Sequence, residues 1–566
     1  MRNIVLILLS LGVCFLIPGY SSGEDLYQLA ISSGNDLQTI GELPIRYFGR
    51  FQTETEDNIL ISIDPLKTDV LDRLKSPYRK LATASEGKTF FWIYPNPRKS
   101  LPDPLLSVEL ARDREGILVD ISREEAERLS AEGFPIRLMV SLPIGIASTA
   151  PKSLMGGRKG WVASPKPVIQ EMMGQVTESQ VYTYTGDLTG VWPVTIGETP
   201  YTISTRNSYR TAEIQKAGQH LYEFYKKLGL EVAAEEFICW DTLQRNIVAQ
   251  KKGSVFPERI IAITSHYDDM PNSIPAPGAD DNASGTVGVM LAAEILSKYD
   301  FGRTLRFINF AAEEQGLGGS SHHAWKSYCS GEDLEAVINL DMIAWNTAGS
   351  LPDMEIHASP MIPASLDLSE LLQNIIEGYG LGLVPSINKS GSGRSDHASF
   401  WGFLFPALMA TESSKDFNPN YHSSRDTLSS FENLNYYLDM IKAGVALVAH
   451  LGGLVEEGWG YLGGKVIQAE TSEPLPNVSI TIQNPSWGYA LSTTTDGNGR
   501  YNQRVVSGNH SLTYKINGYA PKTISEVLVA KDETVTRDVS LLPGNFYSLI
   551  YLPLIIKDYA PKKGCP

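Results

Sequence analysis

Three neighbouring segments of this sequence decide the fold of its central part. They read SHYDDM at residues 265–270, PGADDNASGTVGVMLAAEIL at 277–296 and TLRFINFAAEEQGLGGS at 304–320. Two later segments complete the set, NLDMI at 339–343 and PNYHSSRDT at 419–427. Histidine nitrogens and carboxylate oxygens are ligands that suit zinc and similar divalent ions. These segments therefore carry the ligand types of a metal site, provided that the fold brings them together.

Segments with strand and helix character alternate through the central part of the chain. Apolar and β-branched runs predict strands at Arg245–Gln250, Arg259–Thr264, Thr304–Ala311, Leu334–Leu340 and Leu404–Ala410. Helical spacing of apolar residues predicts helices at Tyr209–Leu228, Ala283–Lys298, Ser369–Gly378 and Leu434–His450. Such alternation predicts the α/β class, with a mostly parallel mixed sheet flanked by helices.

Seven candidate site residues follow the carboxyl ends of these predicted strands. They are His266, Asp268, Asp280, Glu313, Glu314, Asp341 and His422. In an open α/β sheet, ligands bind in the crevice beyond the carboxyl ends of the strands. We therefore expect the seven side chains to converge on one edge of the sheet, although each of them alone is a weak signal.

The number and type of these residues suit a pair of metal ions. Two divalent ions can clamp the attacking and leaving oxygens of a hydrolytic reaction. Each ion then needs one histidine and one terminal carboxylate, with a further aspartate shared between the two. One glutamate must stay off the metals to accept a proton from the attacking water. The sequence offers two histidines, three aspartate or glutamate ligands and one spare glutamate.

The central segment, from about Pro167 to Glu457, resembles the M28 family of two-zinc exopeptidases, which includes bacterial leucyl aminopeptidases. The matching motifs are HYD (His266–Asp268), GADDNASG (Gly278–Gly285), AAEEQGLGGS (Ala311–Ser320), NLDMI (Asn339–Ile343), SDHASF (Ser395–Phe400) and NYHSS (Asn420–Ser424). The resemblance implies two Zn²⁺ ions. One would be held by His266, Asp280 and Asp341, and the other by Asp280, Glu314 and His422. It also implies Glu313 as the general base and Asp268 as the partner that orients His266.

This resemblance implies a metal-dependent aminopeptidase that acts on peptides with a free N-terminus and prefers apolar, Leu-like first residues. Three alternatives stay open. A glutaminyl cyclase on a related fold would use one zinc ion, and a carboxypeptidase would call for basic residues around the substrate carboxylate. A surface-binding protein would carry the same residues as a vestigial site.

The whole chain has a formal net charge of −16, which argues against a nucleic-acid partner because phosphate binding needs clustered lysine and arginine.

The N-terminus predicts a signal peptide at 1–23 and a secreted protein, because Arg2 is followed by the apolar run Ile4–Ile17 and then by small residues. No later stretch is apolar and long enough to span a membrane. We also expect a monomer.

Cysteine use sets a further expectation. Cys14 falls in the predicted signal peptide, which leaves Cys239, Cys329 and Cys565. An exported protein meets oxidising conditions. If one disulfide forms, Cys239–Cys329 is the expected pair.

Two further domains are expected on either side of the metallopeptidase-like segment at 165–457. Residues 24–164 contain two similar strand–turn–helix units, at Ile59–Ser76 and Ile117–Gly133, and predict an α+β domain that serves as a pro-region or a permanent accessory domain. Short alternating strands at 460–543 predict a β-sandwich, which resembles the carboxypeptidase regulatory-like domain. Residues 544–566 form a tail without a readable role.

Overall fold

The computed structural model divides the chain into two compact units, residues 1–454 and 455–566. It describes residues 25–31, 46–52, 57–63, 77–82, 90–94, 100–106, 108–112, 116–132, 134, 136–138, 142–143, 164–239, 242–359, 362–389, 391–455, 458–484 and 489–544. The predicted signal peptide and the tail beyond residue 544 lie outside the described residues.

The N-terminal part of the first unit contains two small antiparallel sheets. Their strands are β1 (Asp25–Ile31), β2 (Arg46–Gln52), β3 (Asp57–Ile63), β4 (Tyr78–Ala82), β5 (Phe90–Ile93), β6 (Glu109–Arg112), β7 (Ile117–Asp120), β8 (Ile136–Leu138) and β9 (Leu142–Pro143). One sheet has the order β4-β1-β3-β2-β9 and the other β6-β7-β5-β8. Two short helices accompany them, α1 (Asp103–Leu106) and α2 (Arg123–Ala131).

The predicted repeat in this region is partly described. Its second unit forms β7 followed by α2, as the sequence predicts. Its first unit supplies β3, and the predicted helix after it lies outside the described residues.

The central sheet of eight strands dominates the first unit. After a small hairpin of β10 (Val194–Ile196) and β11 (Thr199–Tyr201), its strands are β12 (Glu231–Cys239), β13 (Thr242–Lys251), β14 (Phe256–His266), β15 (Arg303–Phe310), β16 (Asp333–Leu340), β17 (Asp353–Ala358), β18 (Val384–Asn388) and β19 (Ala407–Glu412). Their order in the sheet is β12-β13-β15-β14-β16-β19-β17-β18. The inner strands β15, β14, β16 and β19 are parallel, whereas β13 and β17 join this group antiparallel.

Helices cover both faces of this sheet. They are α3 (Pro167–Gly174), α4 (Glu178–Leu188), α5 (Thr211–Lys227), α6 (Gly285–Leu296), α7 (Gly318–Cys329), α8 (Pro363–Tyr379), α9 (His397–Gly402) and α10 (Leu434–Gly452). A π-helical turn, Ala279–Ser284, precedes α6, and a short 3₁₀ helix, Leu428–Ser430, precedes α10. Because helices lie on both faces, strands such as β15 are buried along their whole length, as parallel strands typically are.

The predicted α/β class with a mixed, helix-flanked sheet is confirmed. All five predicted central strands overlap observed strands, and all four predicted helices overlap α5, α6, α8 and α10. The sequence pattern did not predict strands β10, β11, β12, β17 and β18 or helices α3, α4, α7 and α9. Of these, β18 alternates exposed and partly buried residues at the end of the sheet, where a continuous apolar run is not required.

The second unit is a strand-rich domain. Its strands are β20 (Trp459–Gln468), β21 (Ser479–Asn484), β22 (Tyr489–Thr494), β23 (Arg500–Val506), β24 (Gly508–Lys515), β25 (Lys522–Val529), β26 (Thr534–Thr536) and β27 (Val539–Leu541). One sheet combines β23, β20, β26 and β27, and the other has the order β22-β21-β24-β25. Inward residues of both sheets, including Leu462, Ile480 and Leu512, form one apolar core.

The expected disulfide pair is wrong. Cys239 is buried at the end of β12, whereas Cys329 is exposed at the end of α7, and the two are not joined. Sequence spacing does not show this difference in position. None of the described helices combines the length and the apolar character needed to cross a membrane.

Candidate metal centre

The order of the inner strands brings the candidate residues to one edge of the sheet. His266 is the last residue of β14 and pairs with Phe310, the last residue of β15. Glu313 and Glu314 follow shortly after β15, and Asp341 directly follows β16. Since these strands are parallel and adjacent, their carboxyl ends meet, as ligand sites in α/β sheets require.

His266, Asp281 and Asp341 form the first group of converging side chains. Nε2 of His266 lies 3.4 Å from Oδ1 of Asp281 and 3.4 Å from Oδ1 of Asp341. One ligand atom from each residue lies within 4.8 Å of the others, and all three residues are buried. This group could hold one metal ion.

The second group contains Asp281, Glu314 and His422. Nε2 of His422 lies 3.1 Å from Oδ2 of Asp281 and 2.9 Å from Oε2 of Glu314. The ring of Tyr421 stacks on His422, with the ring centroids 3.7 Å apart. Asp281 thus presents one oxygen to each histidine and belongs to both groups.

The aspartate shared by the two groups is Asp281, which corrects the prediction of Asp280. Oδ1 of Asp280 accepts hydrogen bonds from the backbone N–H groups of Ala344 and Trp345, at 2.9 and 3.2 Å. Its Oδ2 accepts a hydrogen bond of 3.0 Å from Nδ2 of Asn418. Its carboxylate therefore anchors neighbouring loops. The backbone at Asp281 is extended (φ −105°, ψ 92°), and consecutive side chains of extended backbone point in opposite directions.

The loop that carries Asp281 is held from two sides. The backbone N–H groups of Asp280 and Asp281 donate to the buried carboxylate of Asp426 at 3.0–3.1 Å. The buried guanidinium of Arg206 donates to the carbonyl oxygens of Pro277 and Gly278 at 2.8 and 2.9 Å. Asp426 lies within the quoted 419–427 segment, but the sequence gives no signal for this contact.

Asp268 positions the turn after β15. Its Oδ1 accepts a hydrogen bond from the backbone N–H of Glu313 (3.1 Å), and its Oδ2 accepts one from the N–H of Glu314 (3.2 Å). Oδ1 also lies 3.7 Å from Nδ1 of His266, whose closer contact is the backbone oxygen of Asp268 at 3.2 Å. Asp268 therefore fixes both glutamates as well as facing the histidine.

Glu313 lines the site without joining either group of three. Its Oε2 lies 3.9 Å from Nε2 of His266. Burial and the neighbouring carboxylates of Glu314 and Asp341 raise the pKa of Glu313 well above its ordinary value, against the opposing effect of His266. This carboxyl group is thus suited to hold a proton.

The ionisable groups of the site also influence one another's pKa values. Burial lowers the pKa of His422, but Glu314 and Asp281 outweigh it and raise that pKa to about 10. Burial and Asp281 raise the pKa of Glu314 to about 7. Burial raises the pKa of Asp281, but hydrogen bonds with His266 and His422 bring it below its usual range. Because a ligating histidine must be neutral, metal binding would release protons and weaken towards acidic pH.

The donor set fits zinc. Imidazole nitrogen and carboxylate oxygen are both normal zinc ligands, and each group supplies both kinds. Oε1 of Glu314 is buried and makes no hydrogen bond within the described part of the chain. A buried carboxylate oxygen of this kind is stabilised by a cation. His266 and Asp341, with the shared Asp281, would hold one ion, and Glu314 and His422, with Asp281, would hold the other.

A cavity of about 330 Å³ opens over these groups. Its walls include Leu317, Met342, Met409 and Phe417, which are apolar, and Glu355, His357 and Arg394, which are polar. Of these residues, Glu355 and His357 lie on β17, a strand that the sequence pattern did not predict.

The N-terminal sheets also contribute to this cavity. Tyr94 and Ile136 line it, and the hydroxyl of Tyr94 donates to the carbonyl oxygen of Gly393 at 3.4 Å. The guanidinium carbon of Arg394 lies 5.4 Å from the centroid of the Tyr94 ring. The N-terminal region is thus part of the site wall.

Fold and site together define an α/β domain with a paired histidine–carboxylate site at the carboxyl edge of its sheet. Residues 246–442 match the model of peptidase family M28, and residues 462–542 match that of the carboxypeptidase regulatory-like domain. The chain therefore carries a peptidase family M28 domain and a carboxypeptidase regulatory-like domain, as the sequence motifs imply.

Individual proteins resemble parts of this chain. A probable leucine aminopeptidase of Arthroderma otae is 28% identical over 245 residues, covering 41% of this chain and 64% of that protein. Aminopeptidase YwaD of Bacillus subtilis is 30% identical over 214 residues, covering 36% of this chain and 44% of that protein. The chain spans about half the length of the curated relatives that it matches.

Among solved structures, the LapA aminopeptidase of Legionella pneumophila aligns with a TM-score of 0.48 at 21% identity. The alignment covers 65% of this chain and 99% of that one.

Proposed function

We propose that this protein is a zinc-dependent aminopeptidase that uses a pair of metal ions. The observation that supports the proposal most directly is the position of Asp281, which offers one carboxylate oxygen to each of two histidines. Each histidine has a second carboxylate beside it, Asp341 for His266 and Glu314 for His422. Two complete groups favour two ions over the single zinc of a glutaminyl cyclase.

Zinc ions bound here would polarise the scissile carbonyl and lower the pKa of the attacking water. Glu313 would take the proton of that water and later return it to the leaving amine, which is the role of a general base and acid. Its raised pKa and its place beside the first group suit this exchange. Asp268 would hold Glu313 and Glu314 in position through their backbone N–H groups.

The substrate would be a peptide with a free N-terminus. Its α-amine is a cation, and the acidic side chains Glu313 and Asp341 line the cavity beside the metal groups. The apolar walls formed by Leu317, Met342, Met409 and Phe417 would contact the first side chain. These walls support binding of apolar, Leu-like residues, for which the sequence resemblance implies a preference.

Secretion is part of the same proposal, and its support is the predicted signal peptide at 1–23. A monomeric state is proposed as well. The N-terminal region at 24–164 would close one side of the cavity through Tyr94 and Ile136. Intact-mass analysis of exported protein tests secretion and the fate of the N-terminal region, since a mature N-terminus near Glu24 would contradict a cleaved pro-region.

The decisive test of the activity uses leucine 4-nitroanilide and its N-acetylated analogue. The proposal expects hydrolysis of the free-amine compound only, loss of that activity with a chelator, and recovery with Zn²⁺. Equal hydrolysis of both compounds, or activity that survives complete metal removal, would contradict it. A carboxypeptidase would instead release the last residue of an N-blocked peptide.

A further inference from the structure

The floor of the cavity is built from alternating residues of β19 and β17. Thr411 pairs with Glu355, and Met409 pairs with His357. Since side chains of a strand alternate between faces, these four side chains point to one face of the sheet. All four line the cavity.

The same floor leads to the metal groups. Leu340 on β16 pairs with Ala410, and the next residue, Asp341, therefore lies beside Thr411. Asp341, directly after β16, thus stands next to Thr411 on β19, which in turn pairs with Glu355 on β17. With adjacent strands about 4.8 Å apart, the backbone of Glu355 lies roughly 10 Å from that of Asp341.

Glu355 presents a fixed carboxylate to this end of the cavity. Its Oε1 accepts hydrogen bonds from the backbone N–H and the hydroxyl of Ser414, at 2.8 and 2.5 Å. Its Oε2 lies 3.5 Å from Nε2 of His357. Burial raises the pKa of Glu355, but the hydrogen bonds from His357 and Ser414 outweigh burial and lower it to about 2. The group is anionic at neutral pH.

His357 does not cancel this charge. The backbone N–H of Ser392 donates to Nδ1 of His357 at 2.9 Å, so Nδ1 must offer its lone pair. The ring proton therefore lies on Nε2, the atom that faces Glu355, and the ring in this arrangement is neutral. His357 acts as a neutral donor beside the carboxylate.

No lysine or arginine side chain within the described residues forms an ion pair with Glu355, and the ionisable side chain beside its carboxylate is that of His357. Arg394 lines the same cavity, but its guanidinium lies against the ring of Tyr94. The Glu355 side chain keeps 17% of its surface exposed. A carboxylate in this position favours a cation supplied by the ligand.

We propose that Glu355 ends the subsite for the first side chain of the substrate, and that peptides with N-terminal lysine or arginine are preferred. This inference rests on the proposed aminopeptidase function, and it replaces the preference for Leu-like first residues that the sequence resemblance implies. The apolar stem of such a side chain would cross Met342 and Met409, and its charged tip would reach Glu355. A leucine side chain would contact only Met342 and Met409, so it would bind without an interaction with the Glu355 charge.

The test compares lysine and norleucine 4-nitroanilides, whose side chains have the same stem but differ in the terminal ammonium group. The zinc-loaded full chain is assayed as wild type and as Glu355→Gln, which keeps an oxygen that can accept the hydrogen bonds from Ser414. Glu370→Gln removes an exposed charge on α8 and serves as the matched control.

The expected result is a higher kcat/KM for lysine than for norleucine in the wild type and in Glu370→Gln. In Glu355→Gln this ratio falls on the order of tenfold to a hundredfold, the value of one hydrogen bond to a charged group, while norleucine turnover persists. An unchanged ratio in Glu355→Gln overturns the inference, as does a wild type that prefers norleucine. A wild type inactive on every free-amine anilide would contradict the proposed function itself.

Discussion

Asp280 and Asp281 are neighbours in the chain, yet their carboxylates serve different partners. Asp280 accepts hydrogen bonds from the backbone of Ala344 and Trp345, whereas Asp281 faces His266 and His422. The loop is fixed in this arrangement because Asp426 accepts the backbone N–H groups of both residues. One aspartate holds the loop and the other forms the centre of the candidate site.

This division of roles predicts different metal contents for two variants. Asp281→Asn should lose zinc and hydrolysis together, because it removes the ligand common to both groups. Asp280→Asn should retain the zinc content of the wild type, although its loop loses part of its support. Metal analysis of the dialysed proteins makes the comparison. Zinc loss confined to Asp280→Asn would show that the shared ligand is misassigned.

Glu313→Gln should separate metal binding from turnover. Glu313 belongs to neither metal group, so the variant should keep its zinc. Loss of a general base lowers the rate by roughly 10²–10⁴-fold. Single-turnover hydrolysis of leucine 4-nitroanilide measures the chemical step, with Glu314→Gln as the variant that should lose metal instead. Turnover of Glu313→Gln close to that of the wild type would rule out the assignment of the base.

Asp268 should act through the residues that it positions. In Asp268→Ala the backbone N–H groups of Glu313 and Glu314 lose their buried acceptor, and His266 loses a neighbour. Removal of such a supporting group costs roughly 10–100-fold in metal affinity or activity. Zinc affinity and kcat are measured in competition and anilide assays.

Ser208→Ala provides the graded control for Asp268. It removes the hydrogen bond that the Ser208 hydroxyl donates to Oδ2 of Asp268 at 3.3 Å and the one that it accepts from the backbone N–H of Ala312 at 3.1 Å. The contacts of Asp268 with the N–H groups of Glu313 and Glu314 stay in place. The effect of Ser208→Ala should be smaller than that of Asp268→Ala. An equal loss of zinc affinity and kcat in both variants would mean that Asp268 does not act through its contacts with the N–H groups of Glu313 and Glu314.

An ion cluster around the buried Glu235, away from the site, gives a stability prediction. Glu235 on β12 contacts Nδ1 of His323 at 3.0 Å and Nζ of Lys326 at 2.6 Å, both on α7. Burial raises the pKa of Glu235, but these two partners outweigh burial and hold it well below its usual range. Lys326 keeps 56% of its side-chain surface exposed, so the loss is that of hydrogen bonds to charged partners, roughly 1.5–3 kcal/mol, and Glu235→Gln should unfold more readily in denaturant.

The stabilisation of the fold by Glu235 should depend on pH. A carboxyl group with a depressed folded pKa stabilises the protein above its unfolded pKa, near 4.5 for Glu235. The stability difference between wild type and Glu235→Gln should therefore be full at neutral pH and shrink as the pH falls below 4.5. The control is Glu236→Gln, whose half-exposed pair with Arg245 should change stability by less than about 1 kcal/mol. A stability difference between wild type and Glu235→Gln that grows on acidification would contradict stabilisation by the ionised Glu235.

Most of the fold was predictable because the inner strands are rich in apolar and β-branched residues and polar site residues follow them. β14, β15 and β16 each end where the sequence changes from apolar residues to histidine or carboxylate. A parallel arrangement then places His266, Glu314 and Asp341 at one edge without further information. His422 also reaches this edge, from the loop after β19.

The remaining features depend on contacts that a single sequence does not encode locally. The choice between Asp280 and Asp281 depends on the backbone of one turn, which Asp426 holds from 145 positions away. β17 was missed because its residues alternate between the core and a polar cavity, with Glu355 and His357 facing the cavity. The tautomer of His357 depends on a backbone group of Ser392.

The central claim is that one chain binds a pair of zinc ions through His266, His422 and the carboxylates between them. Its most direct test is zinc titration of the chelated protein, with bound metal and anilide hydrolysis followed together. The account predicts two equivalents of zinc per chain at full activity, and fewer in Asp281→Asn. Full activity at one equivalent, with no second zinc bound, would contradict it.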